Sequence, residues 1–281
     1  MLTDANTRAL LVDDVANLLV QPAINQAVAG APAVSTTVTI SGATFRIPIQ
    51  TGDPSASWVA EGQEIPITDA TLTELDVTPA KLAALSIITS ELANDSSPAA
   101  AQVVGQGMAR DLARKIDTAY FGALPAPAPA GLSGLSGIQT VVNAGAFGDL
   151  DAFSTAISLA ENVGATVTAF LMGPTTALAM AKIRDETGSN RPLLGSGTYT
   201  DGTTPTQRMI RGVPVLVSAA IPANTAWAVD SSRTWMVVRS DASILVDGSV
   251  FFTSDRVAVR ATMRCGFAFP HPQSVIKITV A

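Results

Sequence analysis

The stretch SWVAEGQEIPITDATLTELDV, Ser57 to Val77, holds one tryptophan, Trp58, and five acidic residues, Glu61, Glu64, Asp69, Glu74 and Asp76. It reads as an exposed strand. Just before it, TVTISGATFRIPIQ (residues 37–50) alternates, with Phe45, Ile47 and Ile49 on one face, and TGDPSAS supplies a turn. The two runs predict a long β-hairpin. Arms of ~10 residues at ~3.3 Å each would reach ~33 Å. A lone two-stranded ribbon is marginally stable in water, so this one must lie on something. Two supports are open: an edge of its own sheet, or another copy of the chain.

Working outward, Thr3 or Asp4 can cap a first helix whose Leu11, Val15, Leu18 and Leu19 share a face and which Pro22 stops. Beyond Lys81, Ser97 as N-cap, Pro98 at the first helical position and Gly122 as stop bracket a helix of ~24 residues, ~36 Å long. Val104, Met108, Leu112, Ile116 and Tyr120 recur along it at every fourth position beside the small residues Ala101, Gly105, Ala109 and Ala113, so one face is apolar and flat. LPAPAPAGLSGLSG, Leu124 to Gly137, is a connector, semi-rigid then flexible, and marks a domain boundary. An α/β unit of ordinary size follows: helices at 151–162 and in TTALAMAKIRDE, a Gly/Thr/Ser-rich loop at 188–206, and strands VTAFLMGP, GVPVLVS, TAWAVD, TWMVVR and SILVDG. The closing RVAVRATMR predicts a strand with Val257, Val259, Ala261 and Met263 on one face. Arg256, Arg260 and Arg264 share the other at intervals of ~13 Å. With no cross-strand acid nearby in sequence, such a row would favour an acidic partner.

Charge divides along the chain. Residues 1–100 hold 11 acids and 3 bases, net −8, whereas residues 101–281 hold 12 acids and 14 bases, net +2. Thirteen of the 17 bases are Arg, whose guanidinium fork suits carboxylate pairing at interfaces. The hydrophobic share of 47% with 14% charged residues excludes disorder as an explanation. No positively charged leader precedes an apolar run, and no stretch nears the ~18 apolar residues that would span a bilayer, so no membrane partner is expected. The single cysteine, Cys265, excludes an intramolecular disulfide and any multi-cysteine metal site.

Little in the chain nominates chemistry. The one histidine, His271, lies between prolines in FPHPQ and reads as a structural turn. None of the four lysines follows a glycine, which excludes the phosphate-cradling Walker loop, and GLSGLSG reads as linker. Pairs such as Asp13/Asp14, Asp149/Asp151 and Asp185/Glu186 are ordinary content of solvated helix ends. No cofactor, metal or catalytic residue is expected, and no basic run with interleaved aromatics suggests sequence-specific nucleic-acid binding.

The order of parts is itself informative. SWVAEGQEIP, the run to KLAALSIITSELANDS, the helix ending LARKIDTAYFGAL and the following PAGLSG together resemble the major capsid proteins of tailed bacteriophages, those of the Hong Kong 97-type fold. WVAEG and SELANDS are the more specific patches; the α/β unit matches only in layout. The resemblance implies an α+β fold with an N-terminal arm (1–37), an extended loop (38–80), a peripheral domain with a spine helix (81–133 and 251–281) and an axial domain (134–250).

By the same resemblance the extended loop lies over a neighbouring subunit in rings of five or six. Trp58, Ile65 and Ile67 would then be apolar anchors. Glu61, Glu64 and Asp69 would meet bases of the next copy, either Arg256, Arg260 and Arg264, or Arg184 and Arg191. The function implied is a non-enzymatic shell subunit that self-assembles in the host cytoplasm into the virion capsid around double-stranded DNA contacted non-specifically. Separate scaffolding, portal and decoration proteins are possible partners. Some relatives weld subunits through a loop lysine and a distant asparagine; no lysine lies between Ala43 and Ala80, so a non-covalent shell is expected. Many relatives also carry an N-terminal scaffolding segment, whereas here the arm starts at Met1, so scaffold is expected to be separate or dispensable. Two other readings stay open: an encapsulin-type nanocompartment of the same fold, and a monomeric carboxylate-dependent hydrolase.

Overall fold

The computed structural model describes residues 26–89, 99–143, 145, 147–184 and 208–280. The helix expected after Thr3, the Ser97 and Pro98 cap, the loop at 188–206 and Arg191 lie outside them. The described chain is mixed α+β. In order it forms β1 (Thr36–Ile40), β2 (Phe45–Gly52), β3 (Thr71–Val77), β4 (Ala80–Thr89), α1 (Ala99–Phe121), β5 (Gln139–Asn143), α2 (Asp151–Asn162), β6 (Ala169–Met172), α3 (Pro174–Ala181), β7 (Arg208–Ile210), β8 (Val213–Val217), β9 (Thr225–Val229), β10 (Trp235–Phe251), β11 (Arg256–Ala268) and β12 (Ile276–Val280).

Three sheets result. One runs β1-β10-β11-β4, a second β5-β12-β9-β6-β8-β7, and β2 with β3 forms a separate two-stranded ribbon. Strand periodicity explains how the larger sheet serves two cores. Ala169, Leu171, Trp227 and Val229 point to one side and join Met108, Leu112, Ile116 and Tyr120 of α1 with Ala261, Met263 and Cys265 of β11. Phe170, Met172, Ala226 and Ala228 point to the other and meet Phe153, Ala156 and Ala160 of α2 with Ala177 and Met180 of α3. The every-fourth-residue stripe predicted for the long helix is therefore the contact between the two sheets. Ala109 and Ala113, beside that stripe, are buried as well.

Sheet membership departs from the sequence-based division at two places. TWMVVR and SILVDG, assigned above to the α/β unit, form one strand, β10, hydrogen-bonded to β11 and β1 in the four-stranded sheet. β12, assigned above to the peripheral part, pairs with β5 and β9 in the six-stranded sheet. Each was assigned by its place in the chain, but strand pairing follows which apolar faces meet, and the chain crosses between the sheets at both points.

The hairpin also differs from its sequence reading. TVTISGATFRIPIQ is broken at residues 41–44: Thr36–Ile40 pairs parallel with β10, and only Phe45–Gly52 belongs to the ribbon. Of Ser57–Val77, only Thr71–Val77 is strand; residues 53–70 form no ladder. The physical reason is visible in the sequence. Pro54 and Pro66 lack the N–H that a ladder requires, and Gly62 takes φ +83° in a turn closed by Gln63 N donating to Ala60 O at 3.1 Å.

Asp117, on α1, ties the described N-terminal segment to the core. Its carboxylate accepts from Ala29 N at 3.0 Å and from Ser218 Oγ at 2.8 Å. Burial pushes its pKa above the ordinary carboxylate value, partly opposed by these hydrogen bonds. Gly131 allows the connector to cross the end of α1: a Cβ there would sit 2.5 Å from the carbonyl oxygens of Tyr120 and Gly122.

Candidate assembly surface

The ribbon has a rooted end and a free end. At the root, Ile47 and Val77 are buried against Val237 and Ala268, and the Phe45 ring lies 5.9 Å from that of Trp235. Gly266 in β11 makes room for the crossing chain, since a Cβ there would fall 3.1 Å from Val77 Cγ1. So the base of the ribbon rests on its own body, by side-chain packing against β10 and β11 and not as an added edge strand of its own sheet.

Farther out this support stops. Every residue from 53 to 70 is exposed. Trp58 is 105% exposed and Ile67 90%, with Ile65 and Leu72 also largely in water. Scattered surface hydrophobics are normal, but an indole and two isoleucines within ten residues of one wholly exposed segment are what an interaction site offers.

The tip is also acidic. Within the ribbon, Arg46 Nε lies 3.2 Å from Asp76 and its Nη1 3.6 Å from Glu74, so two of the five acids of Ser57–Val77 are already paired. Among the described residues, Glu61, Glu64 and Asp69 form no ion pair. The three acids singled out from sequence are thus outside the ribbon's own ion pairs, and exposed pairs like Arg46–Glu74 contribute at most ~1 kcal/mol.

The basic row lies elsewhere, on the outward face of the four-stranded sheet. Register places Arg256 beside Thr89, Arg260 beside Leu85 and Arg264 beside Lys81, all on one face of β11 and β4. Arg239 of β10 is opposite Arg264, so Arg239, Arg264 and Lys81 make one cationic rung. Sequence reasoning named neither Lys81 nor Arg239, because the strand pairing that brings them there is not local. Leu85, Ile87 and Leu245 stand exposed around Arg260. One expectation is corrected: the row does have a cross-strand acid. Asp247 is held below the usual carboxylate range, mainly by the Ser249 hydroxyl and amide and to a lesser degree by the Arg260 charge. Arg184 lies in the segment after α3, outside the strands of the four-stranded sheet.

Elsewhere the geometry is structural. His271 is exposed, and its carbonyl accepts from Ser274 N and Oγ, which fixes the Pro270–Ser274 turn. Among the described residues, no three His, Cys, Asp or Glu side chains are grouped to hold a metal ion, and no helix is long and apolar enough to cross a membrane.

Comparison with known proteins places this architecture. Residues 25–280 match the model of the phage capsid family. The capsid polyprotein of Pseudomonas phage PAJU2 is 31% identical over 194 residues, 66% of this chain and 28% of that protein. The probable major capsid protein gp17 of Mycobacterium phage L5 is 27% identical over 229 residues, 79% of this chain and 67% of that protein. The chain therefore spans little more than a quarter of the first relative and about two thirds of the second. In three dimensions it is similar to the capsid of a native GTA particle computed with C5 symmetry, at TM-score 0.69 and 20% identity, covering 89% of this chain and 91% of that one. With one family model spanning nearly all of it and its fold shared with an assembled capsid, the chain belongs to the phage capsid family.

Proposed function

We propose that this chain is the major subunit of an icosahedral phage shell of the Hong Kong 97-type fold, assembling non-covalently from pentamers and hexamers around double-stranded DNA. The ribbon corresponds to the extended loop and α1 to the spine helix of a peripheral part that includes β1, β4, β10 and β11. The six-stranded sheet with α2 and α3 corresponds to the axial part. In this reading the virion is where the chain resides, and it is assembled in the host cytoplasm.

One observation carries the proposal: a ribbon whose root is buried on its own body and whose tip leaves Trp58, Ile65, Ile67, Glu61, Glu64 and Asp69 exposed to water. Such a tip is completed by an identical molecule that offers cations. Arg256, Arg260 and Arg264 supply them on an outward sheet face; Arg184 is an alternative, and Arg191 lies outside the described residues. A projecting acidic tip and a separate basic face on one chain make a head-to-tail contact, which closes into rings when the rotation permits. The C5 symmetry of the similar GTA capsid supports rings of five.

Sizing chromatography and negative-stain microscopy of the purified chain test the reading. Closed shells or ring oligomers are expected. A monodisperse monomer at every protein and salt concentration would overturn it.

A further inference from the structure

β4 is an outermost strand of the four-stranded sheet, and beside its first residues lies a groove of about 300 Å³. Ile116 of α1 and Cys265 of β11 line its floor, Leu124 and Pro127 of the connector form a wall, and Lys81 and Lys115 border it. Its interior is apolar, and among the described residues its charged lining is cationic. Leu124 remains 42% exposed there, and the chain's own tip does not fill the groove, since residues 53–70 are exposed throughout.

We propose that this groove seats Trp58 of a second copy, with Glu61 and Glu64 of that copy meeting Lys81 and Lys115. The inference deepens the shell reading and rests on it: that reading says the tip reaches a neighbour, and this one says where the indole goes. Three observations favour this occupant. Trp58 is the tip's one large aromatic group, and an indole is most favourably buried in an apolar concavity bordered by cations, where the lysine stems add apolar contact and the ammonium groups stay in water. The turn at Ala60–Gln63, with Gly62 at φ +83°, lies between Trp58 and Glu64 on one wholly exposed segment, so the indole and both carboxylates are carried within seven consecutive residues. Lys81, on the outermost strand, both borders the groove and pairs with Arg264 in the rung that continues to Arg239 on the other face of the sheet, so cations flank the groove around the sheet edge. The competing seat, the outward face around Leu85, Ile87 and Leu245, interposes Arg260 between Leu85 and Leu245.

Cysteine pairs test the placement while keeping Trp58. In a Cys265→Ser background, Val59→Cys is combined either with Leu124→Cys, at the groove, or with Leu245→Cys, on the sheet face. Assembled particles are then oxidised and run on a non-reducing gel. A ladder of covalent oligomers from the Leu124→Cys pair and none from the Leu245→Cys pair is expected. The reverse pattern, or shells that give no ladder with either pair, would overturn the groove while leaving the shell reading intact; failure of the unaltered chain to form any oligomer would instead sink the shell reading. Should the cysteines themselves block assembly, charge exchange reads the same contact. Lys115→Glu should raise the threshold concentration for assembly about tenfold, and adding Glu61→Lys or Glu64→Lys should restore it. Absence of restoration by both would overturn the proposal.

Discussion

The Asp117 carboxylate holds the Ala29 amide at 3.0 Å across 88 positions of the chain, and its other oxygen takes the Ser218 hydroxyl at 2.8 Å. One side chain thus fastens the segment ahead of β1 and the turn after β8 to α1. Asp117 is only 7% exposed, and burial raises its pKa above the usual carboxylate value. For an acid whose folded pKa is raised, the favourable contribution is complete below the unfolded pKa and is lost as pH rises through the folded one. Asp117→Asn keeps an acceptor for Ala29 and a donor for Ser218 without the charge. Its stability relative to the parent chain should therefore increase as pH climbs from the ordinary carboxylate range toward neutrality. Asp117→Ala, which leaves buried polar groups unpaired, should cost about 2 kcal/mol. Urea unfolding of the three chains across pH checks both.

Trp58→Ala separates folding from assembly. Because the indole touches no core, the stability of the dissociated subunit should change by less than ~0.5 kcal/mol, whereas the assembled fraction should fall sharply. Thermal melts of the subunit and sizing chromatography measure the two effects side by side. A fall in subunit stability comparable to a core truncation would show that the tip serves its own body.

Arg260→Glu probes the outward face. Reversal removes a cation offered to the tip and sets a second negative charge near Asp247. Assembly should be impaired, and more so at low ionic strength, because screening over ~10 Å at 0.1 M weakens such contacts. Light scattering at low and high salt reads the difference; identical assembly to the parent chain under both conditions would exclude Arg260 from the contact.

Phe153 is fully buried, with its ring 5.1 Å from Phe170 in a T-shaped arrangement and 5.7 Å from Phe147. Phe153→Ala should destabilise the chain by roughly 3–5 kcal/mol through lost transfer energy and the cavity left behind. Gly131→Ala should cost on the order of 1–3 kcal/mol by overpacking, since a methyl group has no space against the carbonyls that end α1. Denaturant midpoints test both.

Burial raises the Cys265 thiol to about 11. The thiolate is the reactive form, so a thiol reagent at pH 8 should label the native chain far more slowly than the unfolded one. Rapid labelling without denaturant would mean that the β4–α1 edge opens in solution.

Much of this protein was legible in the order of its residues. The four-residue spacing of Met108, Leu112, Ile116 and Tyr120, the Gly122 stop, the helix at 151–162 and the alternation of β11 are local patterns, and local periodicity dictates which face of an element is apolar. The acids at Glu61, Glu64 and Asp69 were also visible, because charge is a property of the chain whatever its fold. What periodicity does not say is which strand lies next to which. That β10 joins the four-stranded sheet, that β12 joins the six-stranded one, that Lys81 and Arg239 flank Arg264, and that Glu74 and Asp76 are taken by Arg46 all depend on contacts between distant segments. The ribbon is the clearest case: alternation announced an extended apolar run, but only the packing of Ile47 and Val77 on Val237 and Ala268 decided where support ends and the free tip begins.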